Sequence, residues 1–159
     1  MSRNLHFREV QHFTTGTIGP KGQRVFYLQF GNPGELITLQ LEKMQVQALA
    51  EFLDQLLEDA EPIDPSDMPL ALDLIEPIQA EWTVSSIGVA FEESNSEFVI
   101  VAEEQSEDTD PGVVQIHLSP GQVKAFIIRA VDVVKAWRPP CIYCGEPLNH
   151  SDGWCPCSN

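Results

Sequence analysis

The chain has 159 residues, 43% of them apolar, which suits one domain with a real core and excludes a wholly disordered protein. It carries 24 acidic and 9 basic residues, a net charge of −15. A surface of that sign repels phosphate backbones and anionic membranes, which argues against nucleic-acid binding and suits a basic protein partner.

No apolar run approaches the roughly 18–20 residues of a membrane helix. The polar start, Met1–Val10, lacks the apolar segment of a signal peptide, so a cytoplasmic location is expected. Leu5 to Ile18 alternates apolar and polar residues and predicts one long or bent strand. Gly16, Gly19, Pro20 and Gly22 then mark a turn. In the next strand, Arg24 to Phe30, the apolar run Val25–Leu28 predicts burial on both faces. Gly31, Asn32, Pro33 and Gly34 form a second turn, and Leu36 to Leu41 alternates as a half-buried strand should. A helix is predicted over Leu41–Leu57, with Val46, Leu49, Ala50, Leu53, Leu56 and Leu57 on one stripe.

Residues 61–79 read as a linker. Pro62, Pro65, Pro69 and Pro77 exclude a long helix, while Leu70, Leu72, Leu74 and Ile75 tack its second half onto the core in extended form. Strands are predicted again over Glu81–Phe91, Glu97–Ala102 and Val113–Leu118, with an acidic loop carrying Glu103, Glu104, Glu107, Asp108 and Asp110 before the last. That loop is most simply a solvated one. A second helix follows Ser119 as N-cap, with Pro120 as its first residue, and runs to about Ala136.

The two helical stretches share Gln45-Val46 and Gln122-Val123, with Ala48 and Ala125 two residues on. Phe13-Thr14 aligns with Trp82-Thr83, and Ile18-Gly19 with Ile87-Gly88, insertions falling in turns. The expected fold is therefore α+β: a duplicated βββα unit forming antiparallel sheets with two packing helices. The first unit spans residues 5–60 and the second 80–137, giving one domain over 1–137 and a tail over 138–159.

All four cysteines lie in that tail. Cys141-x-x-Cys144-Gly145 has the form of a zinc knuckle, two thiolates gripping one ion from a tight turn. It follows two prolines and precedes Gly and Pro, unlike a redox pair, which follows a strand and opens a helix. Cys155 supplies a third ligand, and either Cys157 or His150 the fourth. Four protein ligands leave no place for water, so the zinc is expected to be structural, and a segment this short depends on it for its fold.

Phe13–Arg24 with Phe26–Gln29, and Arg138-Pro139-Pro140-Cys141 through Cys144-Gly145 and Pro147-Leu148 to Cys155-Pro156, resemble the two end signatures of the DUF3090 proteins. These are bacterial proteins of unknown function, mainly of Actinobacteria, and the resemblance covers nearly the whole chain. In the family pattern a His stands two residues before the third Cys, where this chain has Gly153, and an Arg stands in place of Cys157. The resemblance therefore makes Cys157 a substitute ligand, leaves the fourth position open, and implies no activity.

Outside the tail, Gly16, Gly19 and Gly22 with Gln23-Arg24 could suggest a phosphate cradle, but they join two strands, whereas phosphate loops feed a helix. Gln23, Arg24 and Arg138 are the candidate anion or partner contacts. His12 and His117 fall on predicted strands, where a lone His is commonly a surface or hydrogen-bonded residue. No nucleophile with a flanking base stands out. On sequence alone, the favoured function is a non-enzymatic protein-interaction or adaptor module. The alternative is an enzyme or small-ligand domain with a pocket between the units, where Arg24, His12 or His117 meet.

Overall fold

The computed structural model describes residues 4–20, 23–60, 62–69, 72–107 and 110–137. The predicted metal ligands Cys141, Cys144, Cys155, Cys157 and His150, together with Arg138, lie outside them.

The chain forms β1 (Asn4–Phe7), β2 (His12–Ile18), β3 (Val25–Asn32), β4 (Glu35–Leu41), α1 (Lys43–Leu57), β5 (Val84–Glu92), β6 (Glu97–Glu104), β7 (Val113–Leu118) and α2 (Pro120–Trp137). A short 3-10 turn, Pro65–Asp67, interrupts the linker. The architecture is α+β. One sheet has the order β2-β3-β4 and is antiparallel; the other has the order β1-β7-β6-β5, with β1 parallel to β7 and the rest antiparallel.

The stretch Leu5–Ile18 is bent, and the bend divides it between the two sheets. Phe7 turns inward against the ring of Phe30, with centroids 5.5 Å apart. Asn32 holds the corner: its side chain accepts from the Gln11 N–H at 2.9 Å and donates to the Glu9 carbonyl at 3.0 Å. A similar division occurs ahead of β5. Glu81 and Gln40 donate backbone bonds to Thr38 and Trp82, so the predicted start of that strand runs parallel beside β4 and laces the sheets together. β6 runs two residues beyond Ala102 because Glu104 closes the acidic loop, donating from its N–H to Gly112 and accepting the Gly112 N–H on its carboxylate.

The helices pack against each other, and each lies over the sheet to which it is not directly joined. α1 follows β4 yet covers β5; α2 follows β7 yet covers β2. The predicted stripe Val46, Leu49, Ala50 and Leu53 is buried, and Val123, Phe126, Ile127, Ala130, Val133 and Val134 are its counterpart on α2. These side chains share one core with Phe13, Leu28, Phe30, Phe98, Ile100 and Ile116.

The repeated glutamines have a shared task. Gln45 Oε1 accepts the Glu42 N–H at 2.7 Å, and Gln122 Oε1 accepts the Ser119 N–H at 3.0 Å, so each closes the first turn of its helix. Their amides then donate outward, Gln45 to the Val84 carbonyl and Gln122 to the Val10 carbonyl. Each glutamine thus ties its helix to chain entering the opposite sheet's half of the molecule. Gln122→Ala is expected to cost about 1–2 kcal/mol in urea unfolding, a lost cap plus an orphaned carbonyl.

The linker covers the outer face of β2-β3-β4, as its apolar residues predict. Leu74 sits on Gly16, where an added Cβ would meet it at 2.7 Å. Thr14 donates to the Leu72 carbonyl, and Gln29 exchanges two bonds with the Ile75 backbone, at 2.8 and 2.9 Å. This cover explains why Thr14 and Gln29 are fully buried although they point away from the core. Among the described residues nothing comparable lies over the outer face of β5-β6-β7, where Val101, Gly88 and Ala90 are exposed.

Candidate functional site

Alternation along β1, β6 and β7 sends Phe7, Phe98 and Ile116 inward and therefore His6, Glu97, Gln115 and His117 outward, onto that open face. Parallel pairing of β1 with β7 sets His6 opposite Gln115, two residues before His117 and on the same face. Antiparallel pairing sets Val99 opposite His117 and leaves Glu97 on the diagonal.

The result is a chain of contacts across three strands. His117 Nδ1 meets Glu97 Oε1 in a short hydrogen bond. His117 Nε2 lies 2.6 Å from His6 Nε2 and 3.3 Å from the Gln115 amide nitrogen. The imidazoles are tilted by 33° with centroids 4.7 Å apart. His117 is only 8% exposed, Glu97 about a third and His6 more than either.

The network assigns the tautomers. An ionised Glu97 only accepts, so His117 Nδ1 carries a proton. The Nε2 of a neutral His117 is then a lone pair, and His6 and Gln115 donate to it. A carboxylate behind an imidazole fixes the ring's tautomer and orientation, the arrangement of an oriented base.

His117 and Glu97 also line a cleft of about 240 Å³ at the start of α2, with Arg8, Ser96, Ser119 and Gln122 among its other walls. Among the described residues Arg8 has no hydrogen-bond or ion-pair partner. Ser96 has φ +47°, an uncommon backbone state for a residue with a Cβ, in the turn that carries Glu97. Ser96 and Ser119 also line an adjoining cavity of about 340 Å³ whose other walls include Asp64 and Asp67. The Ser66 backbone N–H and hydroxyl hold the Asp64 carboxyl below its ordinary value.

The residues singled out from sequence do not converge here. Gln23 and Arg24 lie in the turn between β2 and β3, shaped by the Gln23 N–H to the Pro20 carbonyl at 3.0 Å. His12 is at the other end of that hairpin, opposite Gly31, with its Nε2 on the Gln29 side chain at 2.8 Å. Of Arg24, His12 and His117, only His117 reaches the cleft, so the expected meeting of the three is corrected. His6, Arg8 and Glu97 were missed. His6 and His117 are 111 residues apart, and no local pattern announces a pairing at that distance.

A model of the family described as protein of unknown function, DUF3090, matches residues 5–155. The chain belongs to the DUF3090 family. No curated protein and no solved structure matches it. Among the described residues of this DUF3090 chain, no helix is long and apolar enough to cross a membrane. Nor do three or more His, Cys, Asp or Glu residues there form a metal-ion cage. A second, apolar groove of about 260 Å³ runs between the helices of the DUF3090 fold, over Ala50, Ala130, Val131 and Val134.

Proposed function

We propose that this DUF3090 chain is a small-ligand-binding domain centred on the cleft at the start of α2. One observation carries the reading: a nearly buried imidazole, backed by Glu97 and with its Nε2 on His6, lines a cleft with Arg8, which has no partner among the described residues. The same groups equip the cleft for proton transfer, because an imidazole oriented by a carboxylate both takes and returns a proton. A fragment screen on the full chain, followed by the His117 imidazole resonance, tests this. Fragments that bind in the cleft shift that resonance, and His117→Gln weakens them at least tenfold. Fragments that bind only along the helix groove would overturn it.

A second reading, docking of a protein partner, is supported by exposed apolar side chains on the helices. Met44 and Phe52 on α1 are 78% and 60% exposed, and Ile128 and Val131 on α2 nearly half. The Gln23-Arg24 turn and Arg138 remain candidate contacts for that partner.

We also infer one structural zinc in the tail 138–159, on Cys141, Cys144, Cys155 and either Cys157 or His150, because four soft or imidazole donors at this spacing suit that ion. The cytoplasmic location belongs with this reading, since thiolates stay reduced there. Metal analysis is expected to return about one zinc per chain, and the Cys141→Ser, Cys144→Ser double variant none. The body should then unfold within about 0.5 kcal/mol of the parent. A zinc-free parent chain would refute the assignment.

Duplication of a βββα unit is supported by reciprocal features: β1 parallel to β7, Glu81–Thr83 alongside β4, and the paired glutamine caps. The hairpin registers align Phe13, opposite Phe30, with Ile87, opposite Ala102. The alignment of Phe13 with Trp82 is therefore out of register.

A further inference from the structure

We propose that the ligand of the cleft carries a small oxyanion group, seated on Arg8, and that its binding takes up one proton on the His6–His117 pair. This rests on the ligand-binding reading above and adds the ligand's chemistry.

The charge balance of the cleft selects the ligand. Arg8 is the one cation in its walls with no partner among the described residues. The Glu97 carboxylate is engaged by His117 Nδ1. The remaining acid of this cleft, Glu9, is exposed, and Asp64 and Asp67 face the adjoining cavity. A single oxyanion head gains a charge-assisted bond from a guanidinium and sits beside hydroxyls of Ser96 and Ser119. A polyanion would meet Asp64, Asp67 and a chain of net charge −15, so nucleic acids are excluded from this seat.

The proton follows from the 2.6 Å separation of the two Nε2 atoms. Neutral, the pair holds one Nε2–H, from His6 to His117. One added proton is accommodated without moving either ring. His117 becomes an imidazolium with Nδ1–H on Glu97 and Nε2–H donating to His6, whose own proton moves to Nδ1. No covalent bond to carbon forms or breaks, and the added proton comes from solvent through the exposed His6. A second proton would set N–H against N–H. Glu97 on β6 and Gln115 on β7 touch the pair, and Arg8 and Glu9, beyond β1, line the cleft that His117 reaches. An anion on Arg8 offsets its positive charge and so favours the singly protonated pair, coupling binding to proton uptake.

Sulfate and acetate are the probes, because both keep a fixed charge across the histidine range. Each is titrated into the full chain near pH 6 and near pH 8, following the histidine imidazole resonances, with calorimetry in two buffers of different ionisation enthalpy. At least one anion is expected to shift both His6 and His117 and to bind about threefold or more tighter at the lower pH. Arg8→Ala should weaken it about tenfold or more, the loss of one charge-assisted bond. His6→Ala should keep binding but lose most of the pH dependence. Preference for sulfate indicates a tetrahedral head and for acetate a planar one. The proposal is overturned if neither anion moves His117, if Arg8→Ala binds as the parent does, or if binding shows no proton uptake. Should neutral fragments still shift His117, the oxyanion assignment alone falls; should nothing shift it, the ligand-binding reading falls too.

Discussion

Phe126→Ala lowers the unfolding free energy by about 3–5 kcal/mol, the usual cost of removing a buried aromatic ring. Phe126 is fully buried on α2, and its ring packs against Phe13 of β2, tilted by 45° with centroids 4.8 Å apart. Its loss opens a cavity at the place where the helix of one half covers the sheet of the other. The deletion should therefore loosen both sheets together, giving one cooperative transition at lower urea rather than two. Phe52→Ala is the control: the ring is 60% exposed on α1, and its removal should change stability by no more than about 0.5 kcal/mol. If Phe126→Ala left the midpoint unchanged, the cross-packed arrangement of the helices would be wrong.

Gln29→Leu is expected to cost about 3 kcal/mol, by stranding several buried polar groups at once. The Gln29 amide uses its full capacity. Its oxygen accepts from the Ile75 N–H and from His12 Nε2, and its nitrogen donates to the Ile75 carbonyl and Thr38 Oγ1. Leucine fills the same space but leaves all four partners unanswered. Ile75 is held to the outer face of β3 through this side chain, so the linker should also become a protease-sensitive segment. Limited proteolysis of Gln29→Leu should cut within residues 62–79 at least several-fold faster than in the parent. Unchanged cleavage and an unchanged urea midpoint would remove the clamp from the account. His12→Ala deletes one of the four bonds and should cost less, about 1 kcal/mol.

These substitutions separate features that sequence shows differently. Phe126 is legible as a core residue from its place in an apolar helical stripe. Its partner is not, since periodicity reports that a face is buried and never against what. Gln29 looks like an ordinary polar position in a half-buried strand. Only the run Val25–Leu28 hinted that both faces of β3 are covered, and Leu74 and Ile75 hinted at the cover. The clamp itself needs the linker and strand in hand together.

The site follows the same division. In the sequence His117 is a histidine on a predicted strand, a position that by itself suggests little. What changes its meaning is a parallel pairing of β1 with β7, which brings His6 to its Nε2, and a turn at Ser96 that aims Glu97 at its Nδ1. Loop closure over such separations leaves no local trace, because the residues concerned obey only the alternation of their own strands. Arg24 and His12 illustrate the converse. They share a hairpin in sequence, yet its extended geometry holds them at opposite ends.

By itself the sequence determined the α+β class, the succession of strands and helices, the helix cap at Ser119, and which face of each element is apolar. These are set by short-range chemistry: period two in strands, period 3.6 in helices, proline and glycine at the breaks. Tertiary structure alone decided that the strand at the N-terminus is shared between two sheets and that each helix covers the far sheet. It also decided which outer face the linker roofs, and that the other presents His6, His117 and Glu97. Those outcomes depend on which buried surfaces meet across separations of 39 to more than 100 residues, and a chain read locally does not contain that choice.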